Sequence, residues 1–263
     1  MVNILLRNFY YKLFAKHKYG HGIHSPFVYD FIKNILNNDK IKFEDLNLIK
    51  ACILKEVSYI QRSEYNKNSK ALFKSKKISV KRFLKYSSLN EKYGSLLNKM
   101  VKYYNISCVI ELGTGLGISA YYFLYKNDNL FLHTIEGNNE LAKISYELLY
   151  GNGFKNFKVY NCNFKEGLDL ILYEIQDKEK LLFFIDGDHI GKHLQYYIEK
   201  ILSNLKKDEC YIVIDDIRWS TDMYNAWKDI TKNSNINLSI DLGRMGILIK
   251  KPQFLKQYFM IRY

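Results

Sequence analysis

From about residue 96 onward the chain alternates short apolar runs with stretches of helical periodicity, and that alternation limits the folds open to it. ISCVIEL, LFLHTIE, FKVYNC, LLFFID, YIVID, INLSIDL and MGILIK each have the length of a strand. Between them lie segments whose apolar residues recur every three or four positions, such as Leu141, Ile144, Leu148 and Leu194, Ile198, Ile201. A further apolar stripe, Leu96, Leu97, Met100, Val101 and Tyr104, precedes the first run. Near-continuous apolar strands are buried on both faces, which calls for a parallel sheet covered by helices on either side. The last two runs are separated by little more than Gly243 and predict an antiparallel hairpin. The expected fold is therefore α/β: a doubly wound, Rossmann-like seven-stranded sheet, mostly parallel, with a C-terminal antiparallel hairpin, over residues 96–263. Residues 1–95 read as an N-terminal helical extension without clear strands.

Composition narrows the partners. A hydrophobic fraction of 48% and an aromatic fraction of 16% can fill a sizeable core, which excludes global disorder. No apolar run reaches the length of a transmembrane segment, and the N-terminus lacks the uninterrupted apolar core and cleavage site of a signal peptide. Val2, Leu5, Leu6, Phe9 and Leu13 instead fall at helical spacing beside basic residues. Such a helix either docks on its own protein or lies on a membrane surface, the first being the commoner arrangement. In GHGIHSPFVYDFI, Ser25 and Pro26 mark a helix start, and His21 and His24 sit in a Gly-rich loop with no third metal ligand. Four cysteines lie scattered without metal-ligand spacing, and Cys108 and Cys210 fall in or beside apolar runs as core residues. That usage points to a reducing, cytoplasmic compartment. The net charge of +13 invites a nucleic-acid partner. Lys accompanies Asn, Ile and Tyr throughout, however, as an AT-rich coding sequence would dictate. The modest cluster from Lys67 to Lys85 reads as a solvated basic face, with an RNA- or phosphate-binding patch as the alternative.

In a doubly wound sheet, ligands bind beyond the carboxyl ends of the strands. The first strand ends Glu111-Leu112-Gly113-Thr114-Gly115-Leu116-Gly117, followed by a helix that carries Ser119. Glycines allow a sharp turn and a close backbone approach to a ligand. The spacing is not the Gly-x-Gly-x-x-Gly of dinucleotide sites, so a pyrophosphate is not expected. Glu111 supplies negative potential for a cationic ligand. Glu136, ending the second strand about 20 residues on, is placed to accept hydrogen bonds from ribose hydroxyls.

ELGTGLGIS followed by TIEGN resembles the first two motifs of class I S-adenosylmethionine-dependent methyltransferases, in particular the O-methyltransferase branch. The likeness continues through IDGDH, IDDIRWS and DLGRMGILIKK, and covers about residues 93 to 250. The HGIHSPFVYD segment at residues 21 to 30 also resembles that of an uncharacterised bacterial group within the family. The resemblance implies S-adenosylmethionine as cofactor, bound by the loop from Glu111 through Gly113, Thr114, Gly115 and Gly117. Gly113, Gly115 and Ser119 would meet the methionine portion and Glu136 the ribose. Asn163 and Phe164, after the third strand, match the positions that flank adenine, although many relatives have Ser or Asp in place of Asn163.

The fourth and fifth strands end in Asp186-Gly187-Asp188-His189 and Asp215-Asp216-Ile217-Arg218-Trp219. These strands are expected side by side, which gathers Asp186, Asp215 and Asp216. Packed carboxylates raise one another's pKa unless a cation compensates, and a divalent ion, the sulfonium or a cationic substrate could serve. The resemblance to metal-dependent O-methyltransferases implies a Mg²⁺-like ion on the three acids, though the catechol type has Asp-Asn where this chain has Asp-Asp. The resemblance of IDGDH to sugar-modifying relatives implies Asp186 as a metal and cofactor ligand and His189 as the base. A coordinated hydroxyl is a better nucleophile, and His189 would take its proton. The same acids could instead bind cofactor alone or cap helices. Arg218 and Trp219 are candidates for orienting substrate, Trp227 for packing, and His193 is expected one turn beyond His189 on the same helix face.

The function expected is O-methylation of a small-molecule or sugar hydroxyl. An RNA or protein methyltransferase is favoured by charge only, and IDGDH is not the Asn/Asp-Pro-Pro-aromatic motif of amino-methylating enzymes. An intact glycine loop, Glu136 and a crowded acidic cleft argue against a non-catalytic binding module, and an NAD-dependent oxidoreductase is disfavoured by the glycine spacing. By fold-level analogy, the N-terminal extension is a lid or a homodimerisation surface over the strand ends.

Overall fold

The computed structural model describes residues 2–39, 41–61, 77–175, 180–205 and 209–263. Lys67 to Lys76 of the basic cluster lie outside the described residues. Backbone contacts divide the chain into two compact units, Met1–Asp39 with Glu179–Tyr263, and Lys40–Lys178, so the 1–95 segment is shared between them.

The Lys40–Lys178 unit contains α3 (Leu46–Glu56), the short antiparallel pair β1 (Tyr59–Gln61) and β2 (Lys77–Ser79), α4 (Val80–Tyr86) and α5 (Glu91–Tyr103). It continues through β3 (Cys108–Leu112), α6 (Ile118–Leu124), β4 (Phe131–Ile135), α7 (Asn139–Gly151), β5 (Phe157–Tyr160) and α8 (Phe164–Glu174). The strands β3, β4 and β5 run parallel in that order, with Leu112 beside Ile135 and Ile135 beside Tyr160. All five residues of β3 (CVIEL) are buried, Glu111 among them. Asn98 is also buried in this unit, and its amide donates to the Tyr122 and Tyr125 carbonyls (2.7 and 2.8 Å), satisfying the end of α6.

The other unit begins with α1 (Val2–Phe14) and α2 (Pro26–Phe31), which continues into a π-helical turn. Ser25 caps α2 with Pro26 in its first turn, as the sequence predicts. After the other unit come β6 (Leu181–Ile185), α9 (Gly191–Asn204), β7 (Cys210–Ile214), α10 (Thr221–Ile230), β8 (Leu238–Asp241), β9 (Gly246–Lys250) and β10 (Gln257–Met260). β6 and β7 are parallel and buried throughout; β9 runs antiparallel to both β7 and β8, closing the expected hairpin. Trp227 of α10 is fully buried, and Cys108 and Cys210 are buried within β3 and β7.

β3 to β10 belong to an eight-stranded mixed sheet, mostly parallel, consistent with the Rossmann-like expectation. Two features differ from it. β10 adds an eighth strand, parallel to β8, and β1 and β2 supply strands where none were expected. Each has only three or four residues and, unlike β5 and β8, lies in no longer apolar run of the sequence.

Candidate functional site

In the Lys40–Lys178 unit, the end of β3 turns back at three glycines. Gly113, Gly115 and Gly117 all lie at positive φ (107°, 56° and 82°), a region that side chains with a Cβ rarely adopt. The turn is tied to β4, because the Gly113 and Thr114 amides donate to the Ile135 carbonyl (3.0 and 3.3 Å). Gly117 begins α6, and a Cβ there would meet Ser145 of α7 at 3.2 Å. At Gly115 a Cβ would meet the ring of Phe83, from α4, at 3.3 Å. An aromatic ring thus lies beside the glycine turn, a neighbour that glycine spacing alone does not reveal.

Two buried glutamates bracket this turn. Glu136 accepts the Gly115 amide on Oε2 and the Asn138 amide on Oε1 (both 2.9 Å). Burial pushes its carboxyl up to about 7, against the pull of amides from Asn138, Gly115 and Gly137. Each oxygen has two lone pairs, so the carboxylate keeps acceptor capacity for a further donor. Glu111 is fully buried at the end of β3. The Thr134 hydroxyl donates to its Oε2 (2.6 Å) and is in turn 2.5 Å from the Thr114 hydroxyl. Among the described residues, none donates a hydrogen bond to its Oε1. Burial also raises Glu111 to about 7, with the Ser119 and Thr134 hydroxyls drawing it down and the Glu136 charge pushing it further up. A buried carboxylate oxygen without a donor fits a ligand that brings one.

Asn163 caps α8, its side-chain oxygen accepting the Glu166 amide (3.0 Å), and Phe164 is the half-buried first residue of that helix. Nearby, the Asn161 amide donates to the Glu136 carbonyl (2.8 Å).

In the other unit, Asp215 and Asp216 end β7, and the Asp215 amide donates to the Ile185 carbonyl of β6 (2.9 Å). The countercharge is Arg244, from the hairpin between β8 and β9. Its Nε and Nη2 grip Asp215 Oδ1 and Oδ2 at 2.7 and 2.5 Å, and its Nε lies 3.4 Å from Asp216 Oδ1. Burial depresses the guanidinium's pKa, but Asp215, Asp216 and Asp186 together hold it above its ordinary value. For Asp215, burial and the Asp216 charge raise the carboxyl, opposed by Arg244. Two of the three acids singled out in the sequence, Asp215 and Asp216, therefore converge on one point, and an arginine occupies it. Both oxygens of Asp215 are engaged by that arginine. Among the described residues no group of three or more His, Cys, Asp or Glu side chains is disposed to hold a metal ion. The residues as arranged do not fit the expected divalent site.

The IDGDH loop has an unusual backbone: Asp188, His189 and, after β7, Asp216 lie at positive φ (63°, 25° and 51°). Strain of this kind in non-glycine residues persists only where surrounding structure holds it, and it gathers at functional sites. His189 precedes α9 instead of sharing its face with His193, because the loop continues to Ile190. Its ring lies 5.9 Å from that of Trp219. His193 Nδ1 is paired with Asp188 Oδ2, and the Tyr197 hydroxyl donates to the same oxygen (3.3 Å). Nothing in the motif announces the Asp188–His193 pair, because Asp188 lies in the loop and His193 on α9.

Arg218 was expected to meet substrate. The structure instead buries it in a fork with Asp241, Nη1 to Oδ1 at 2.5 Å and Nη2 to Oδ2 at 2.6 Å. Nη1 also donates to the Gly243 carbonyl (2.8 Å), and the Tyr11 and Tyr224 rings lie 4.9 and 5.2 Å from its Cζ. Asp241, at the end of β8, is the missing half of this pair.

No family model matches the chain, and no curated protein matches it. Solved structures do. An O-methyltransferase of tomaymycin synthesis from Streptomyces achromogenes, in complex with S-adenosylmethionine, superimposes with a TM-score of 0.56 at 12% identity, over 81% of this chain and 91% of that one. A methyltransferase from Podospora anserina bound to S-adenosylhomocysteine gives 0.56 at 13%, over 86% and 96%. An O-methyltransferase from Bacillus cereus, also with S-adenosylhomocysteine, gives 0.54 at 15%, over 84% and 96%. At these identities the likeness is one of fold.

Proposed function

We propose that this chain is an S-adenosylmethionine-dependent methyltransferase that acts on a hydroxyl of a small molecule or sugar. The observation that carries the reading is the turn of positive-φ glycines held against Glu136, with Glu111 buried beside it and one of its oxygens lacking a donor. Ribose hydroxyls would donate to the remaining lone pairs of Glu136. The cofactor's ammonium would lie toward Glu111, whose carboxylate it would favour electrostatically. Gly113, Thr114, Gly115, Gly117 and Ser119 would form the wall against the methionine portion. Asn163 and Phe164 would border the adenine, Asn163 through its backbone because its side chain caps α8. The cofactor-bound methyltransferases of like fold support the reading.

For the transfer itself, we assign proton removal to the histidine loop after β6. His189, beside Trp219 on a strained backbone, is the first choice. The pairing with Asp188 favours His193 as a second. If Nδ1–H is donated to the carboxylate, Nε2 is left as the accepting nitrogen. Arg244 offsets part of the Asp215 and Asp216 charge, and both Asp215 oxygens are taken by it, so no step here is routed through a metal.

Calorimetric titration with S-adenosylmethionine tests the proposal. The wild type should bind, and Glu136→Ala should weaken binding by about tenfold or more, the cost of losing charge-assisted hydrogen bonds. Absence of binding by a folded wild type sinks the proposal.

A further inference from the structure

The helix α1 is amphipathic the wrong way round for a helix that belongs only to its own protein. Leu5, Leu6, Phe9, Tyr10, Leu13 and Phe14 fall within one half of its circumference at 100° per residue and are 47% to 69% exposed. The polar side is the one that is docked. The Arg7 guanidinium donates to Thr221 Oγ1 (2.7 Å), and the Tyr11 hydroxyl donates to the Ile261 carbonyl (2.7 Å) and accepts the Tyr263 amide (3.1 Å). Just beyond the helix, Ala15 is buried and the Lys16 backbone pairs with the C-terminal segment. These contacts fix the helix with its apolar face outward, and a contiguous apolar surface of this kind marks an interaction site.

Charge identifies the occupant. Residues 1–29 contain four Lys and Arg and no Asp or Glu, and residues 242–263, which hold α1 in place, also contain no acid. Lys12, Lys16 and Lys18 are exposed, as is Arg262, which donates to the Lys12 carbonyl (2.5 Å). Lys12 lies on the helix circumference next to Leu5. A second copy of the chain would bring the same predominantly basic residues of α1 and the C-terminal segment against this one, so like charges would oppose the contact. An apolar stripe with Lys12 at its edge and the exposed Lys16 and Lys18 just beyond its C-terminal end matches the layering of an anionic bilayer, with headgroups outside and acyl chains within. We infer that α1 docks the protein on anionic membrane surfaces, with Leu5, Leu6, Phe9, Leu13 and Phe14 entering the interface and Lys12, Lys16 and Lys18 meeting the headgroups.

Co-sedimentation of the full chain with vesicles tests this. The wild type should pellet with vesicles of equal parts phosphatidylcholine and phosphatidylglycerol at low salt, and not with phosphatidylcholine alone. The triple variants Leu6→Ser/Phe9→Ser/Leu13→Ser and Lys12→Glu/Lys16→Glu/Lys18→Glu should each reduce partitioning by about tenfold or more, as expected when apolar burial or surface charge is removed. Because the substituted side chains face outward, both variants should melt at the wild-type temperature. The inference fails if the wild type stays in the supernatant with the anionic vesicles or pellets equally with the neutral ones. It also fails if either variant binds as the wild type does. A lipid-free dimer in sedimentation velocity that the serine substitutions dissolve would assign the face to a second copy instead.

Discussion

Arg244 grips both oxygens of Asp215, at 2.7 and 2.5 Å, across the antiparallel pairing of β7 and β9. Asp215 is buried, so its charge depends on this fork. Removing one partner of a buried ion pair leaves the other uncompensated, which costs about 3 to 5 kcal/mol. Arg244→Ala should therefore lower the urea midpoint steeply. Arg244→Ala/Asp215→Ala should be less destabilised than Arg244→Ala alone, because no charge is stranded. A double variant no more stable than the single one would show that the pair does not act as a unit.

The two buried glutamates make cofactor binding pH-dependent. Glu111 and Glu136 both lie near 7 in the folded protein, above the ordinary value of 4.5, chiefly because burial disfavours their charge. Folding therefore raises their proton affinity. Their favourable contribution to stability is complete below pH 4.5 and is lost as pH rises through 7. A cationic cofactor that donates hydrogen bonds prefers both groups ionised. Its affinity should rise from pH 6 to 8, with protons released near neutrality. Titrations in buffers of different ionisation enthalpy measure that release. An affinity flat across this range would contradict the proposed roles of both residues.

Much of this arrangement was legible in the sequence. Seven runs became β3 to β9, and the signature is clearest in β6 and β7, which are apolar and buried along their whole length. The glycine turn was legible because backbone at positive φ demands glycine at fixed chain positions, and Glu111 and Glu136 lie buried beside it, where the strand ends placed them. Countercharges were not. Arg244 and Asp241 meet Asp215 and Arg218 from 29 and 23 residues away, and nothing local announces such a pairing. The requirement itself was readable: clustered acids need a cation. A protein side chain was simply the source left out of account. β1, β2 and β10 were hidden because YIQ, KIS and QYFM lie in no longer apolar run, whereas the equally short β5 and β8 sit inside FKVYNC and INLSIDL.

Gly117 begins α6 at φ 82°, within reach of Ser145. Gly117→Ala should cost about 1 to 2 kcal/mol from the left-handed backbone alone, with the 3.2 Å approach to Ser145 Cβ adding to it. The turn it completes also carries Gly115, whose amide orients Glu136. Cofactor affinity should therefore fall alongside the melting temperature. A destabilised variant that binds S-adenosylmethionine as tightly as the wild type would separate the helix start from the cofactor wall.

Arg218 gives a test of placement against expectation. Asp241 takes two hydrogen bonds from Arg218, one from the Gly243 amide (2.8 Å) and one from the Tyr258 hydroxyl (2.9 Å), so it ties the hairpin to β10. A lysine carries the charge but not the planar fork, and it cannot stack between Tyr11 and Tyr224 as a guanidinium does. Arg218→Lys should lower stability by about 1 to 3 kcal/mol, the cost of leaving buried acceptors without their donors. Arg218→Ala should cost more, because Asp241 is then left buried without its ion-pair partner. Neither change should alter the affinity for S-adenosylmethionine, because Arg218 serves the packing of its own unit. Denaturation and calorimetry on the same preparations separate the two roles. Wild-type stability with impaired turnover would return Arg218 to the substrate.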